Sequence, residues 1–248
     1  VNYPPLYLTL LVGLGKLYGL LVPSFEYTPL QSVLIKLPAV LADLAITVLI
    51  YAAALSMTTK DASAPSVSMT DGDKVRWFPL LAAGLWALNP AILYVSAFWA
   101  QVDSIHTLWM LAALLAALAR RCGWSGLFMG LALLTKLHAF VLLPLLLALA
   151  WRHSRRAVAM GALGVAGTLA LGLLPFVLSG AGAHMLAVYG GSVGFYPKLS
   201  VNAFNGWFLV QTISDQAVGR EVLDTVRVVG PVTLRCVGLG TLAGSMDL

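Results

Sequence analysis

Charge is scarce in this sequence. Asp, Glu, Lys and Arg make up 10% of the 248 residues, against about a quarter in an ordinary soluble domain. Hydrophobic residues make up 60% and mean hydropathy is +0.89, so water cannot be the solvent for most of the surface. A soluble two-domain enzyme is excluded. Cysteine is nearly absent as well: Cys122 in a basic turn and Cys236 in a late apolar segment give neither a disulfide framework nor a metal-ligand spacing. Period-2 alternation is missing, and Leu, Ala and Gly take the place of the β-branched and aromatic residues of a barrel strand, so the spans are helices. There is no phosphate loop, because Gly15-Lys16 is followed by Leu17 rather than Ser or Thr. No inverted repeat is visible. The first residue is Val1 and no basic, apolar and small-residue signal segment precedes it, while the chain stops at Leu248 soon after an apolar segment begins. We therefore expect an internal piece, incomplete at both ends.

What is present is a series of apolar stretches reaching the roughly 20 residues that cross a bilayer, each bounded by a polar or basic cluster. The fold class is all-α: one polytopic transmembrane bundle over 1–248, with about six to eight membrane helices including a short hairpin. Residues 1–22, broken by Lys16, suit a helix at the membrane face. The first secure span covers 36–55, residues 56–76 read as a polar loop, and the next spans cover 77–98 and 105–118, the latter stopping at Arg120-Arg121. Residues 124–150 are apolar except for Ser125 and Thr135-Lys136-Leu137-His138, and a second basic block, Arg152 to Arg156, follows. Residues 157–178 form the last complete span, 181–207 a loop, and 228–243 a span cut short.

A formal charge of +5 and a pI near 9.4 would suggest nucleic acid in a soluble chain. Here the cations sit in short loops between apolar runs, which is a topology signal, and no nucleic-acid partner is implied. One helix over 124–150 would put Lys136 at mid-membrane and the two basic blocks on opposite sides. A hairpin with Lys136 at its tip keeps both blocks cytoplasmic. Residues 56–76 are then cytoplasmic too, while Gln101, Asp103 and 181–207 are extracytoplasmic.

Ionisable groups near apolar spans cost roughly 2.5–3.5 kcal/mol on insertion scales, so each needs a reason. Asp43 lies nearly two helical turns after Lys36 and shares its face; it either lines a cavity or pairs with a Lys or Trp of another helix. Gln101, Asp103 and His106 open a helix, where capping would account for Asp103 or Ser104 but leaves Gln101 unexplained. Lys136 and His138 at the hairpin tip suit a phosphate in a low-dielectric pocket, with snorkelling as the plain alternative. Asn202 to Trp207 combine amides and aromatics fit for a sugar or headgroup, although Trp and Tyr also gather at interfaces. Gly126 to Gly130 is a helix-packing contact.

Taken in order, these segments resemble the C-type glycosyltransferase superfamily, membrane enzymes that use polyprenyl-phosphate sugars, and most of all the glucosyltransferases of N-glycan assembly and their bacterial relatives. Tyr3-Pro4-Pro5-Leu6 is similar to the Pro-Pro-Leu segment that follows their first extracytoplasmic loop. Lys36-Leu37 through Ala42-Asp43, Asn89-Pro90 with Gln101-Val102-Asp103, Gly130 to Lys136 with Pro144, and Ser200-Val201-Asn202-Ala203 with Trp207 resemble the segments that come next, over residues 1–210.

The resemblance implies an inverting hexosyltransferase, of the glucose or mannose class. Its donor would be a polyprenyl-phosphate sugar and its acceptor a lipid-linked or surface glycan. It also implies a catalytic carboxylate in the first extracytoplasmic loop, at or before the position held here by Asn2. We thus expect the base upstream of Val1, no catalytic residue in this piece, and a piece inactive by itself. Lys136, His138, Gln101, Asp103, Tyr3 and Asn202 become candidates for the donor phosphate or the cavity, with Asp43 and Lys36 structural or cavity-lining. No cofactor is required by the sequence; the superfamily admits a divalent metal, but no ligand cluster is present. Richness in Leu, Ala and Gly with short loops points to a bacterial cytoplasmic membrane, and an endoplasmic reticulum membrane fits the same physics. Two other readings stay open: a transporter or lipid-linked-glycan flippase using the same intramembrane ions, and a non-catalytic subunit of a glycan assembly complex.

Overall fold

A computed structural model describes residues 4–62 and 72–191, with isolated positions between 209 and 219 and at 227–229 and 232–233; side chains are described over 4–58 and 77–187. The chain divides into two compact units, residues 3–185 and 186–248, where the composition suggests one. The first unit begins with α1 (Pro5–Leu21), its Pro at the first turn, where a missing N–H costs nothing. Tyr18 holds the exit from α1, its hydroxyl reaching the Glu26 carbonyl and lying 3.0 Å from Thr28 Oγ1.

Helix α2 (Pro29–Ala62) runs for 34 residues through an internal Pro38, past the expected end of the span near residue 55. Helix α3 starts at Gly72 and ends at Ala87. The loop expected over 56–76 is therefore helical at both ends, and 63–71 lie outside the described residues. Ala39, Ala42, Ile46 and Ala54 form the buried stripe of α2, at the helical spacing of a packed face, while Leu41, Leu44 and Val48 on other faces are more than half exposed. Large apolar side chains turned outward along a helix are those of a chain solvated by lipid.

The span expected over 77–98 is not continuous. Asn89-Pro90 breaks it, and the pieces on either side meet at 40°. The Asn89 side chain accepts a 2.9 Å hydrogen bond from the Ala91 N–H, capping α4 (Pro90–Leu93), which runs into a π-helical turn at Tyr94–Phe98. Helices α5 (Asp103–Leu118) and α6 (Cys122–Thr135) follow, of 16 and 14 residues, which makes them about 24 and 21 Å long. Lys136 is extended (φ −156°, ψ 133°) and ends α6; a 3₁₀ segment, Leu137–Leu142, leads into α7 (Leu143–His153), and Ser154 alone separates α7 from α8 (Arg155–Leu178).

Helices α6 and α8 run parallel with their backbones nearly touching. A Cβ at Gly126 would stand 2.0 Å from the Gly161 carbonyl oxygen, one at Gly164 2.5 Å from that of Gly123, one at Gly130 2.6 Å from Thr168 Cβ, and one at Gly172 2.4 Å from Leu134 Cδ1. Small residues on both helices permit that approach. Because α6 and α8 are parallel, α7 returns between them, so 122–153 form the two-armed hairpin that the basic blocks suggest. Arg120, Arg121 and Arg156 line one cavity, which places both blocks at one end, and Lys136 sits at the other.

Two described helices are long and apolar enough to span a bilayer, Pro29–Thr58 and Arg155–Leu178, or three with the bent pair Trp77–Ala87 and Pro90–Phe98 counted as one span. The expected six to eight are not reached among the described residues, because α1, α5, α6 and 137–153 are shorter apolar helices. Helix α8 has no buried residue, and its Leu163, Leu171 and Leu178 are 67%, 73% and 78% exposed. It ends at Leu178, and the turn after it passes through Gly180, whose φ of 78° suits glycine. Helix α9 (Gly182–Gly191) takes up the first part of the loop expected over 181–207; residues 192–207 lie outside the described ones. In the second unit, Arg227–Val229 pairs antiparallel with Val232–Thr233, so the helical span expected from residue 228 does not begin there.

The α6–α8 seam yields a stability prediction. Gly126→Val is expected to destabilise the protein by about 1–3 kcal/mol, read as a lower unfolding midpoint in detergent. Gly167→Ala, where a Cβ meets nothing within 4 Å, should leave the midpoint unchanged or slightly raised.

Candidate functional site

The end of the bundle opposite the arginines collects the irregular backbone. In the π-helical turn the Trp99 N–H donates to the Tyr94 carbonyl at 2.9 Å, and the Gln101 N–H donates to that of Val95 at 3.0 Å. Between them Ala100 has a φ of 59°, a left-handed conformation that costs a non-glycine residue energy. This turn delivers Gln101, Val102 and Asp103 to the start of α5. Val102 caps α5 without a side-chain hydrogen bond, and Asp103 occupies the first turn, where the helix dipole favours a carboxylate. Capping is therefore not what Asp103 does.

Asp103 instead reaches across to α6, and its carboxylate accepts a hydrogen bond from the Lys136 ammonium. The two residues are far apart in sequence, and each was singled out for its own reason. Three turns of geometry create the pair: the break at Lys136 turns its backbone extended, the antiparallel packing of α5 on α6 brings that break beside the start of α5, and the π-helical turn sets the depth of Asp103. One turn further on, buried His106 lies with Nδ1 3.4 Å from the Ala132 carbonyl oxygen, and tethers α5 to the last turn of α6. Lys136 is 29% and Asp103 40% exposed, so the pair is open on one side. An ammonium has three N–H donors; with one on Asp103, the others are free for an anion on the open side.

The remaining candidates separate. His138 is exposed on the 3₁₀ segment next to Lys136. Gln101 is half-buried, two residues before Asp103. Lys36 does not meet Asp43, although the two share a helix face; its ammonium lies 6.0 Å from the centre of the Phe98 ring, at the outer limit of a cation–π contact, beside the strained turn. Asp43 is half-buried, with both carboxylate oxygens shielded and neither hydrogen-bonded among the described residues, so no described Lys or Trp plays the plain role of its partner. Its neighbour Ala42 packs with Val102 and Ile105, which brings that stretch of α2 to the start of α5. Tyr3 and Asn202 lie outside the described residues. Among the described residues no group of three His, Cys, Asp or Glu stands close enough to hold a metal ion. The pairing of Asp103 with Lys136 had no sequence signal, since only the fold brings the two together. The arginine cavity did have one: two basic blocks flanking a hairpin.

Across the sequence, the model of glycosyltransferase family 87 matches residues 2–239, almost the whole chain. The chain belongs to glycosyltransferase family 87. The family is one of C-type membrane glycosyltransferases, and the protein is accordingly an integral membrane transferase that takes a sugar from a donor to an acceptor. No curated protein and no solved structure matches it.

Two measurements test this geometry. A double-mutant cycle on Asp103→Asn and Lys136→Met, followed by unfolding in detergent, is expected to give a coupling of about 0.2–1 kcal/mol, the range of an ion pair with one side open. Replacing Asp43 by Leu removes a shielded carboxylate that has no hydrogen bond among the described residues and is expected to stabilise the protein by about 1–3 kcal/mol; a fall in the unfolding midpoint would mean that Asp43 has a stabilising contact.

Proposed function

We propose that this family 87 glycosyltransferase moves a hexose, of the glucose or mannose class, from a polyprenyl-phosphate sugar to a lipid-linked or other extracytoplasmic glycan, with the Asp103–Lys136 pair at the donor phosphate. The observation that carries this reading is the placement of the pair at the far end of α5 and α6 from Arg120, Arg121 and Arg156. By the positive-inside rule the arginine end faces the cytoplasm, so the pair faces outward. Nucleotide sugars are made in the cytoplasm, so a donor available on the outer side is one that a lipid has carried across. Its phosphate arrives at membrane depth, where α6, at about 21 Å, leaves Lys136 short of the far edge of a hydrocarbon layer about 30 Å thick.

In this scheme Asp103 fixes the Lys136 ammonium, and the free N–H groups face the phosphate oxygens. As the acceptor hydroxyl attacks the anomeric carbon from the opposite face, the sugar–oxygen bond breaks and polyprenyl phosphate leaves with an added negative charge. A cation already oriented stabilises that charge more than it stabilises the bound donor, which is the condition for lowering the barrier. His138 lies two residues after Lys136 and Gln101 two residues before Asp103. Asp103 is occupied by Lys136 and the Asp43 oxygens are shielded, so the proton of the acceptor hydroxyl goes to the carboxylate that the resemblance implies at or before the position of Asn2. Tyr3 and Asn202 stay candidates for the donor phosphate or the cavity, on the resemblance alone.

The test is transfer by the full-length protein in proteoliposomes from a panel of polyprenyl-phosphate hexoses. Lys136→Ala is expected to lower kcat by about 10²–10³, the effect of losing one preorganised donor to a developing oxyanion, with Lys136→Arg retaining part of the activity. Unchanged turnover in Lys136→Ala would remove Lys136 from the reaction, and transfer from nucleotide sugars alone would remove the lipid-linked donor.

A further inference from the structure

A second constellation lies at the arginine end, away from the Asp103–Lys136 pair. Arg120, Arg121 and Arg156 line a cavity of about 640 Å³ together with Cys122, Trp124 and Met160. No acidic residue lines it, and none of the three arginines has a carboxylate partner among the described residues. Arg120 is held at a φ of 60°, a strained conformation for a residue with a side chain. Trp124 and Trp151, at the start of α6 and near the end of α7, are 58% and 67% exposed; tryptophans at one level on the outside of a bundle mark the headgroup layer.

Cys122 also lines a second cavity, of about 600 Å³, so the two adjoin. This one runs between α6, α7 and α8 from Ala150 and Val158 at the arginine end to Phe140 and Leu169, roughly 15 Å along the helices. Its walls are almost wholly apolar, with Met129 and Ala162 among them, and Phe140 and Leu147 on its rim are more than half exposed. A cationic chamber opening into a greasy groove has the two-part chemistry of a phospholipid. Lys136 lines neither cavity.

We propose that this end binds one anionic phospholipid of the adjacent leaflet, its phosphate among Arg120, Arg121 and Arg156 and one acyl chain in the groove between α6, α7 and α8. Charge complementarity selects the occupant: three unpaired guanidinium groups at headgroup level attract an anionic lipid and give a zwitterionic one little advantage. The groove favours a lipid over a free anion, because apolar walls contribute nothing to a soluble phosphate.

Native mass spectrometry of the full-length protein, delipidated in detergent and offered phosphatidylglycerol or phosphatidylcholine, tests this. The protein is expected to retain one phosphatidylglycerol in preference to phosphatidylcholine, and the triple variant Arg120→Gln, Arg121→Gln, Arg156→Gln should lose that retention by on the order of tenfold or more. Arg152→Gln with Arg155→Gln, in the same basic block but outside the cavity lining, should change it little. Ala162→Phe, which narrows the groove, should weaken long-chain phosphatidylglycerol more than a short-chain form. If the triple variant does not fold, the unmodified protein decides: its retention must fall as salt rises. The proposal is overturned if the triple variant retains phosphatidylglycerol like the parent, if the Arg152 and Arg155 variant loses it equally, or if inorganic phosphate displaces it. It is likewise overturned if polyprenyl phosphate fills the groove in a manner that depends on Lys136 and not on the arginines.

Discussion

Two leucine-covered helices gain nothing by leaving lipid for each other, because acyl chains are as apolar as they are; what remains is close van der Waals contact. In this protein that contact is the seam of α6 and α8, where Gly126 lies against the Gly161 carbonyl and Gly130 against Thr168. The rest of the first unit hangs on it. The seam makes the two helices parallel, parallel helices force α7 to return between them, and the return puts Lys136 at one end and the two arginine blocks at the other. It also holds the last residues of α6 in place, so that α5 has a fixed partner for Asp103 and His106. A pair of side chains on separate helices keeps its geometry only when the helices themselves cannot slide.

The two ends then diverge in character. At one, the chain carries a π-helical turn, a left-handed Ala100, an extended Lys136 and an ion pair open on one side. Irregular backbone at membrane depth is tolerated where it is buried in protein or lines a water-filled cavity. At the other end, cations without anions face a chamber that leads into an apolar groove. The proposed sugar transfer sits at one end, and the proposed attachment to a membrane lipid at the other.

Much of this was legible in the sequence where hydropathy and charge act over short distances. The membrane class followed from the scarcity of charge, the hairpin followed from two basic blocks flanking an interrupted apolar run, and Gly126 to Gly130 announced a packing contact. Features that depend on distant parts of the chain were not legible. Asp103 and Lys136 are candidates in the sequence but not a pair, since nothing in linear spacing joins the start of one helix to the end of the next. Asp43 is open in sequence between lining a cavity and pairing with a Lys or Trp, because a buried carboxylate ordinarily has a partner, and among the described residues its oxygens have none. The span expected over 77–98 runs through Asn89-Pro90, although a capping Asn before Pro is a start signal that breaks a helix and begins another. The run around Val228 was taken for a helix on hydropathy alone, while its valines on either side of Gly230-Pro231 carry the composition of a hairpin.

The shortness of α5 and α6 has one further meaning. At about 24 and 21 Å they do not match a hydrocarbon layer about 30 Å thick, and a mismatch of that size is met by deforming the bilayer or by admitting water. With α6 anchored at the headgroup layer by Trp124, and α7 by Trp151, thinning of the opposite leaflet toward Lys136 would be one way to meet the shortfall. Membrane thickness would then be a variable that acts on the site without touching a single residue in it.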